Sequence, residues 1–333
     1  MFIEYVRIKM NKKKVLLSIV IALILVTFLL IQIDIIDLFN VLSSIPPSFI
    51  VLGFILYVLS YFFRALRFRI LLDGEISIRD LFSIVCVHNM VNNILPARTG
   101  ELSYVYLTRK LHNKKTGEVI TTLLVARVFD FITVSLLFFI SAFMIQNLPA
   151  IIMKAIWIIA VFLVLVVFML ISLIYFGEEF IYLVKRIVAR FERNNRMINY
   201  AMRKGEEIVE FSGGLTKVVI LRSFFVSFGM WITSYMVALV LITGMRLNLN
   251  IFEILICTSF LVFTTILPIQ GILGLGSTEG AWSIAFLIFG ISKEVAISAS
   301  FGLHIISLCY LLILGFYGIK KLELGLNNHR VKV

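Results

Sequence analysis

Apolar residues run along this chain in blocks close to the ~20 positions that cross a bilayer. The blocks are 15–33, 48–63, 118–145, 151–176, 215–243 and 295–318. They predict about six full transmembrane helices. Two further apolar regions, about 81–108 and 252–289, are each too long for one straight helix and are interrupted midway. The interruptions share a phrase. Ile94-Leu95-Pro96 is followed by Arg98, Gly100 and Glu101, and Ile266-Leu267-Pro268 by Gly271, Gly274, Gly276 and Glu279. Proline removes a helical hydrogen bond and clashes with the preceding turn, and a carboxylate in hydrocarbon is costly. Matching breaks in two halves predict two broken or re-entrant helical hairpins, an internal repeat, and a site between the copies.

Between the halves lies the longest polar stretch, 177–214. It mixes Glu178, Glu179, Lys185, Arg186, Arg190, Arg193 and Arg196 with Phe180, Leu183, Val184, Ile187, Val188 and Phe191 at helical spacing. Two readings stand: an amphipathic helix on the inner leaflet, or a basic connector obeying the positive-inside rule. The chain is 61% hydrophobic and 15% charged, with mean hydropathy +1.04. That excludes an ordinary soluble core. The expected fold class is an all-α polytopic membrane protein, with residues 1–333 a single integral membrane domain. Residues 15–176 form its first half, 177–214 the basic cytoplasmic connector and 215–318 its second half. The first run follows Lys9, Lys12, Lys13 and Lys14 like a signal peptide. It is too long for one and no small-residue cleavage site follows, so a retained helix is expected.

The net charge of +12 suits either nucleic acid or anionic lipid, and its distribution favours lipid. Of 31 Lys and Arg, 25 fall before the first helix, after the second (Arg64, Arg67, Arg69, Arg79), after the first broken region (Arg109, Lys110, Lys114, Lys115), within 185–217, or at the C-terminal end. All 25 lie on one side if each broken region enters and leaves on the same side. Only Lys154, Arg246 and Lys293 then lie opposite. The bias predicts a multi-pass protein of the cytoplasmic (plasma) membrane, with cytoplasmic N- and C-termini and no nucleic-acid partner. It also makes the halves inverted copies, the first hairpin entering from the cytoplasm and the second from outside. A re-entrant pair and two full spans satisfy the charge count equally.

Four charges fall in the first half's apolar sequence: Arg98, Glu101, Arg127 and Asp130. An Arg or Asp at mid-membrane costs roughly 2.5–3.5 kcal/mol unless paired or hydrated. Each couple is three apart and shares a face if helical. One reading makes them two salt bridges locking hairpin to helix. The other gives Arg98 an anion, because its planar fork suits phosphate and the helix resuming after Gly100 aims N–H groups at the same spot. Asn89, Asn92 and Asn93 add polar groups on the approach, while His88 reads as a satisfied buried histidine. In the second half, Ser277 or Thr278 is placed to cap the next helix, with Glu279 in its first turn. The glycine-rich loop lacks the Lys and spacing of a nucleotide P-loop. Glu279 has three readings: an ion pair with Arg98, a contact to a lipid amine, or a proton carrier. Arg64 and Arg67 share a face at the cytoplasmic end of the second helix, either as snorkelling anchors or as a basic entrance for lipid phosphate. Cys86, Cys257 and Cys309 read as small apolar residues. No metal or cofactor is expected.

These pieces, in this order, resemble a known family. Arg64-x-x-Arg67 with Leu71-Leu72, Asn93-x-x-Pro96-x-Arg98-x-Gly100-Glu101, Ala126-Arg127-x-x-Asp130, and Pro268 with Gly271, Gly274, Gly276 and Glu279 are similar to the flippase-like family. This is the membrane domain of bacterial lysyl-phosphatidylglycerol synthases and its stand-alone relatives. The resemblance covers about 15–318. Many members carry an arginine beside the first motif's glutamate, where this chain has Leu102 and Ser103. The resemblance implies helices and re-entrant hairpins around a lipid-headgroup cavity, moving a polar lipid between leaflets. The synthases' soluble aminoacyl-transfer domain is not among these 333 residues, so no aminoacyl transfer is expected.

The expected function is translocation of a polar or phosphate-bearing lipid between leaflets, flippase- or scramblase-like. Arg98, with Arg127, would hold the phosphate. Glu101, Asp130, Glu279, Asn92 and Asn93 would shape the cavity. Pro96, Gly100, Pro268, Gly271, Gly274 and Gly276 would be the hinge positions. Expected partners are phospholipid or polyprenyl-phosphate lipids, a partner synthase or glycosyltransferase, and a second copy of the chain as a homo-oligomer. No enzyme activity is expected, for want of a nucleophile–base arrangement. The rival readings are a membrane subunit anchoring or regulating a separate lipid-linked glycosyltransferase or lipid synthase, and an intramembrane transferase.

Overall fold

A computed structural model describes residues 20, 23–31, 35–95, 100–168, 182, 196–265 and 272–330. All regular secondary structure among them is helical. A helical stretch at 23–30 belongs to the first apolar run. It is followed by α1 (Ile35–Ser44), α2 (Pro47–Leu71), α3 (Ile78–Ile94), α4 (Glu101–His112), α5 (Thr116–Met144) and α6 (Ala150–Phe168). The second half holds α7 (Arg196–Gly213), α8 (Lys217–Gly244), α9 (Ile251–Thr264), α10 (Ser277–Ile288) and α11 (Lys293–Arg330). By length and composition α2, α5, α6, α8 and Lys293–Glu323 of α11 can each cross a bilayer. Of the expected span 15–33, residues 20 and 23–31 are described.

The ends follow local chemistry. Pro47 opens α2, where its missing N–H costs nothing. Ser77 caps α3 by accepting the Asp80 N–H, and Asn250 and Glu253 close a reciprocal box at the start of α9. α2 runs on to Leu71, further than the apolar run 48–63 predicts, so Arg64, Arg67 and Arg69 lie within the helix rather than after it. The helix gives way at the turn where Asp73 and Gly74 take positive φ (52° and 74°).

The helix contacts repeat between the halves. α2 packs on α8 more extensively than any other pair, α3 packs on α11, and α9 packs on α5. Exchanging α2 with α8, α3 with α9, α4 with α10 and α5 with α11 reproduces this scheme. The central pair is antiparallel. Gly53 lies against Leu241, Phe63 against Gly229, and Phe49 against Gly244. Equivalent helices therefore run in opposite directions, as an inverted repeat requires. The apolar residues gather into three cores: one around α2–α5, one joining α1, α8, α9, α10 and α11, and a small one where α5 and α6 meet α9.

Length decides between re-entrant and spanning hairpins. α4 and α10 have 12 residues each, about 18 Å at 1.5 Å per residue, against a hydrocarbon core of about 30 Å. Neither can cross. The hairpins α3–α4 and α9–α10 therefore turn inside the apolar layer, and the second hairpin's tip, Ile272–Gly274, touches α3. Gly100 permits the first turn, because a Cβ there would overlap the backbone of Asn92.

Charged residues of the α2–α3 turn, the α4–α5 turn and α7 meet at the start of α5. Lys114 pairs with Glu118 at 2.7 Å and also with Glu75. Glu207 of α7 accepts the Gly117 N–H at 2.9 Å and Lys204 at 2.5 Å. Thr121 donates to the Ile208 carbonyl at 3.3 Å. The described part of the connector thus docks on the start of α5. Its apolar set from Phe180 to Phe191, on which the inner-leaflet reading rests, lies outside the described residues.

Candidate functional site

Helical spacing carries one face of each of several helices into a common space. Tyr57, Ser60, Tyr61 and Arg64 share a face of α2; Asn89, Asn92 and Asn93 share a face of α3; Arg127, Phe131 and Val134 share a face of α5. With Glu101, Asp130, and Trp231 and Ser234 of α8, they line a cavity of about 730 Å³. Phe162 and Val166 of α6, Val262 and Phe263 of α9, and Thr265 just after it complete a mostly apolar wall. The cavity therefore lies between the halves.

Three guanidinium groups and two carboxylates meet here. Arg67 reaches Asp130 at 2.5 Å, with side chains 2% and 9% exposed. The same Nη1 donates to Ser227 Oγ at 3.2 Å and the Ala126 carbonyl at 3.4 Å. Trp231 Nε1 donates to Asp130 Oδ1 at 2.9 Å. Arg127 donates to Glu101 at 2.6 Å and lies 3.5 Å from the second oxygen of Asp130. The two pairs expected from spacing are thus rearranged. Asp130 takes its principal partner from α2, and Arg127 ties α5 to the first turn of α4. Arg67 is buried inside this network and does not line the cavity, so the structure moves it away from the basic entrance the sequence suggested.

Arg64 is different. It lines the cavity and forms no ion pair with a carboxylate among the described residues. It donates weakly to Asn89 Oδ1 at 3.4 Å, and its buried Nε has no hydrogen-bond partner. Asn92 Oδ1 and Asp130 Oδ2 are buried at the same wall without hydrogen-bond partners. Buried polar atoms are ordinarily bonded. One donor and two acceptors are thus left without hydrogen bonds on residues that line the cavity, in a cluster that carries one surplus positive charge. The remaining asparagine groups are satisfied locally, Asn89 by the Val85 carbonyl and Asn93 by that of Asn89. His88 is buried against Ser103 at 3.2 Å, as expected. Arg98, Pro96, Pro268 and Gly271 lie outside the described residues.

Glu279 sits away from this cavity and is 1% exposed. It is the N3 residue of α10 and accepts the Gly276 N–H at 2.7 Å, while its other oxygen meets His304 Nδ1 at 2.8 Å. His304 Nε2 reaches the Leu273 carbonyl at 3.0 Å. Leu273, Gly274 and Gly276 all have positive φ (57°, 71° and 78°), so the tight tip is held by this histidine and carboxylate. Sequence reasoning missed His304, Trp231, Tyr57 and Tyr61. An ionisable residue inside the apolar run 295–318 was a usable signal for His304. A tryptophan in α8 gave none, because indole is at home in apolar sequence.

Comparisons with curated proteins and with solved structures find no match. A family model does match, over residues 15–315, and it is the lysylphosphatidylglycerol synthase TM region. With its helices, its two re-entrant hairpins and its polar cavity in place, this chain belongs to that family.

Proposed function

We propose that this protein moves a phosphate-bearing lipid between the leaflets of the plasma membrane, with the headgroup held in the cavity between the halves. Arg64 and its surroundings carry the reading. A cation without a carboxylate partner among the described residues offers a donor for phosphate oxygens, while Asn92 Oδ1 and Asp130 Oδ2 accept from headgroup hydroxyl or amine groups. The apolar wall from α5, α6 and α9 suits the adjoining acyl or prenyl chain. The surplus positive charge favours a net anionic headgroup, and a cationic aminoacyl headgroup meets like charge. The basic end of the bundle faces the cytoplasm in this reading.

The test is reconstitution with fluorescent phosphatidylglycerol, its lysyl derivative and a polyprenyl phosphate, followed by leaflet accessibility. A hydrogen bond to a charged group contributes about 1.5–3 kcal/mol, roughly 10- to 150-fold in affinity. Arg64→Gln is expected to slow transport of anionic lipid at subsaturating lipid within that range. Equal rates for wild type and Arg64→Gln overturn the assignment of Arg64. A wild type that moves none of the three lipids overturns the transport reading in favour of a subunit for a separate lipid enzyme.

A further inference from the structure

The Glu279–His304 pair takes no part in the cavity, and its hydrogen bonds cannot all form without an added proton. The Leu273 carbonyl can only accept, so His304 Nε2 must carry a hydrogen. The opposite nitrogen, Nδ1, lies 2.8 Å from Glu279 Oε1. A bond there needs a second proton, either on Nδ1 facing a carboxylate or on Oε1 facing a neutral ring. A neutral imidazole beside a carboxylate has one N–H for two buried acceptors. It can serve Leu273 or Glu279, and the other is left without its donor, which is costly in a buried site.

We propose that Glu279 and His304 form a proton-binding site that closes the tip of the second hairpin. With the proton in place, His304 links the Leu273 carbonyl to Glu279, and Glu279 also holds the Gly276 N–H. The turn 273–276 is thereby fastened to α11. When the proton leaves to water, no electron moves and no other bond is made. The pair becomes a carboxylate and a neutral ring, and the Leu273 carbonyl or Glu279 loses its partner. The tip rests against α3, the helix that carries Asn89, Asn92 and Asn93 of the cavity. Release of the tip therefore changes what supports the headgroup wall. The closed form holds one proton more than the open one, so acid favours closure and alkali favours opening.

Other ionisable groups on the surrounding helices have their own engagements. Glu253 of α9 closes the cap of its own helix, His88 of α3 bonds Ser103, and Tyr310 of α11 donates to the Ile50 carbonyl. Cys86 of α3 and Cys257 of α9 are buried thiols. Asp37 lies in the first turn of α1. On α2, Tyr57 and Tyr61 bond each other. The pair is 1% and 7% exposed at its side chains, so its proton exchanges only as the site opens.

The test places a cysteine at Leu275 in a full-length chain whose three native cysteines are replaced, and follows alkylation of the purified protein against pH, each rate divided by that of the same thiol in the denatured chain at the same pH so that thiolate formation cancels. Below the transition the rate is expected to rise about tenfold per pH unit, the slope of one proton. Glu279→Gln reproduces the protonated acid, since its amide donates to Nδ1 while its oxygen accepts from Gly276. It is expected to keep Leu275→Cys slow at every pH. His304→Ala is expected to make it fast at every pH. Nitrogen-15 NMR of histidine-labelled protein gives a second reading, expected to show the His304 Nδ1 signal moving on acidification in wild type, as Nδ1 either gains the proton or accepts a hydrogen bond from protonated Glu279, and not in Glu279→Gln. A flat wild-type profile, or a Glu279→Gln variant that keeps the wild-type slope, overturns the proposal. Neither readout involves lipid movement, so its failure leaves the transport reading standing, and the reverse.

Discussion

Asp130 on α5 takes its closest ion-pair partner from Arg67 on α2, 63 positions away, and not from Arg127 one helical turn behind it. Removing one member of a buried pair strands the other charge, at a cost of about 3–5 kcal/mol. Asp130→Asn and Arg67→Met are each expected to lower stability by about that much in a denaturation series in detergent. The double variant is expected to lose far less than the sum of the two, because it strands no charge. Additive losses would show that the pair is not coupled.

The antiparallel register of α2 and α8 makes a prediction that needs no function. Cysteine pairs at Phe63 with Gly229, and at Phe49 with Gly244, are expected to be joined by short bifunctional reagents. A pair at Phe63 with Gly244 is expected to stay unjoined. Cross-linking of that third pair and not of the first two would mean parallel helices and no inverted repeat.

Gly100, the cap of α4, lies directly against the backbone of α3. A methyl group there overlaps the Asn92 backbone, which side-chain movement cannot relieve. Gly100→Ala is expected to destabilise the protein by about 1–3 kcal/mol, the usual range for overpacking. It should also shift Asn92, and with it the anionic-lipid affinity proposed above. Gly213→Ala, where a Cβ meets nothing nearby, is the control and is expected to leave both unchanged.

Glu207 gives a pH dependence outside the membrane. Partial burial opposes its ionisation, but the Lys204 ammonium and the Gly117 N–H outweigh this and hold its carboxyl below the usual range. A lowered folded-state value means that docking of α7 is supported above the ordinary glutamate range and is lost as pH falls through the lowered value. Limited proteolysis of the connector is expected to speed up on that acid side in wild type. In Glu207→Gln the same acid-induced change is expected to be much smaller, with faster cleavage already at neutral pH.

Much of this architecture was legible because lipid imposes period and length. The six apolar runs, the two breaks and the charge bias follow from what hydrocarbon tolerates. The hairpins' depth was not legible, because charge at their ends is the same for a loop that turns back and for two full spans. Only the 12-residue lengths of α4 and α10 separate these. The site was half legible. Glu101, Arg127, Asp130 and the asparagines are conspicuous in apolar sequence, and the structure brings them to one cavity wall. Their partners were not, since i to i+3 spacing favours Arg127 for Asp130, and the choice of Arg67 depends on how α2 crosses α5. Arg64 and Arg67 are alike in sequence, three residues apart near one helix end. Which one is neutralised is decided by Asp130 and Ser227, both distant in the chain.

The pairing of α3 with α11 has a consequence for how the protein is made. Met90 and Cys86 of α3 pack against Gly315 and Gly318 of α11, and α11 begins only at residue 293. At roughly 5–20 residues per second, the ribosome needs on the order of 10 to 40 s to reach α11 after beginning α3. Through that interval a hairpin too short to anchor itself stands in the bilayer with one flank bare. The N-terminal half is thus not a finished unit that waits for its copy. It is an open assembly that the last helix closes, and a chain truncated before α11 should fall to quality control rather than persist as half a bundle.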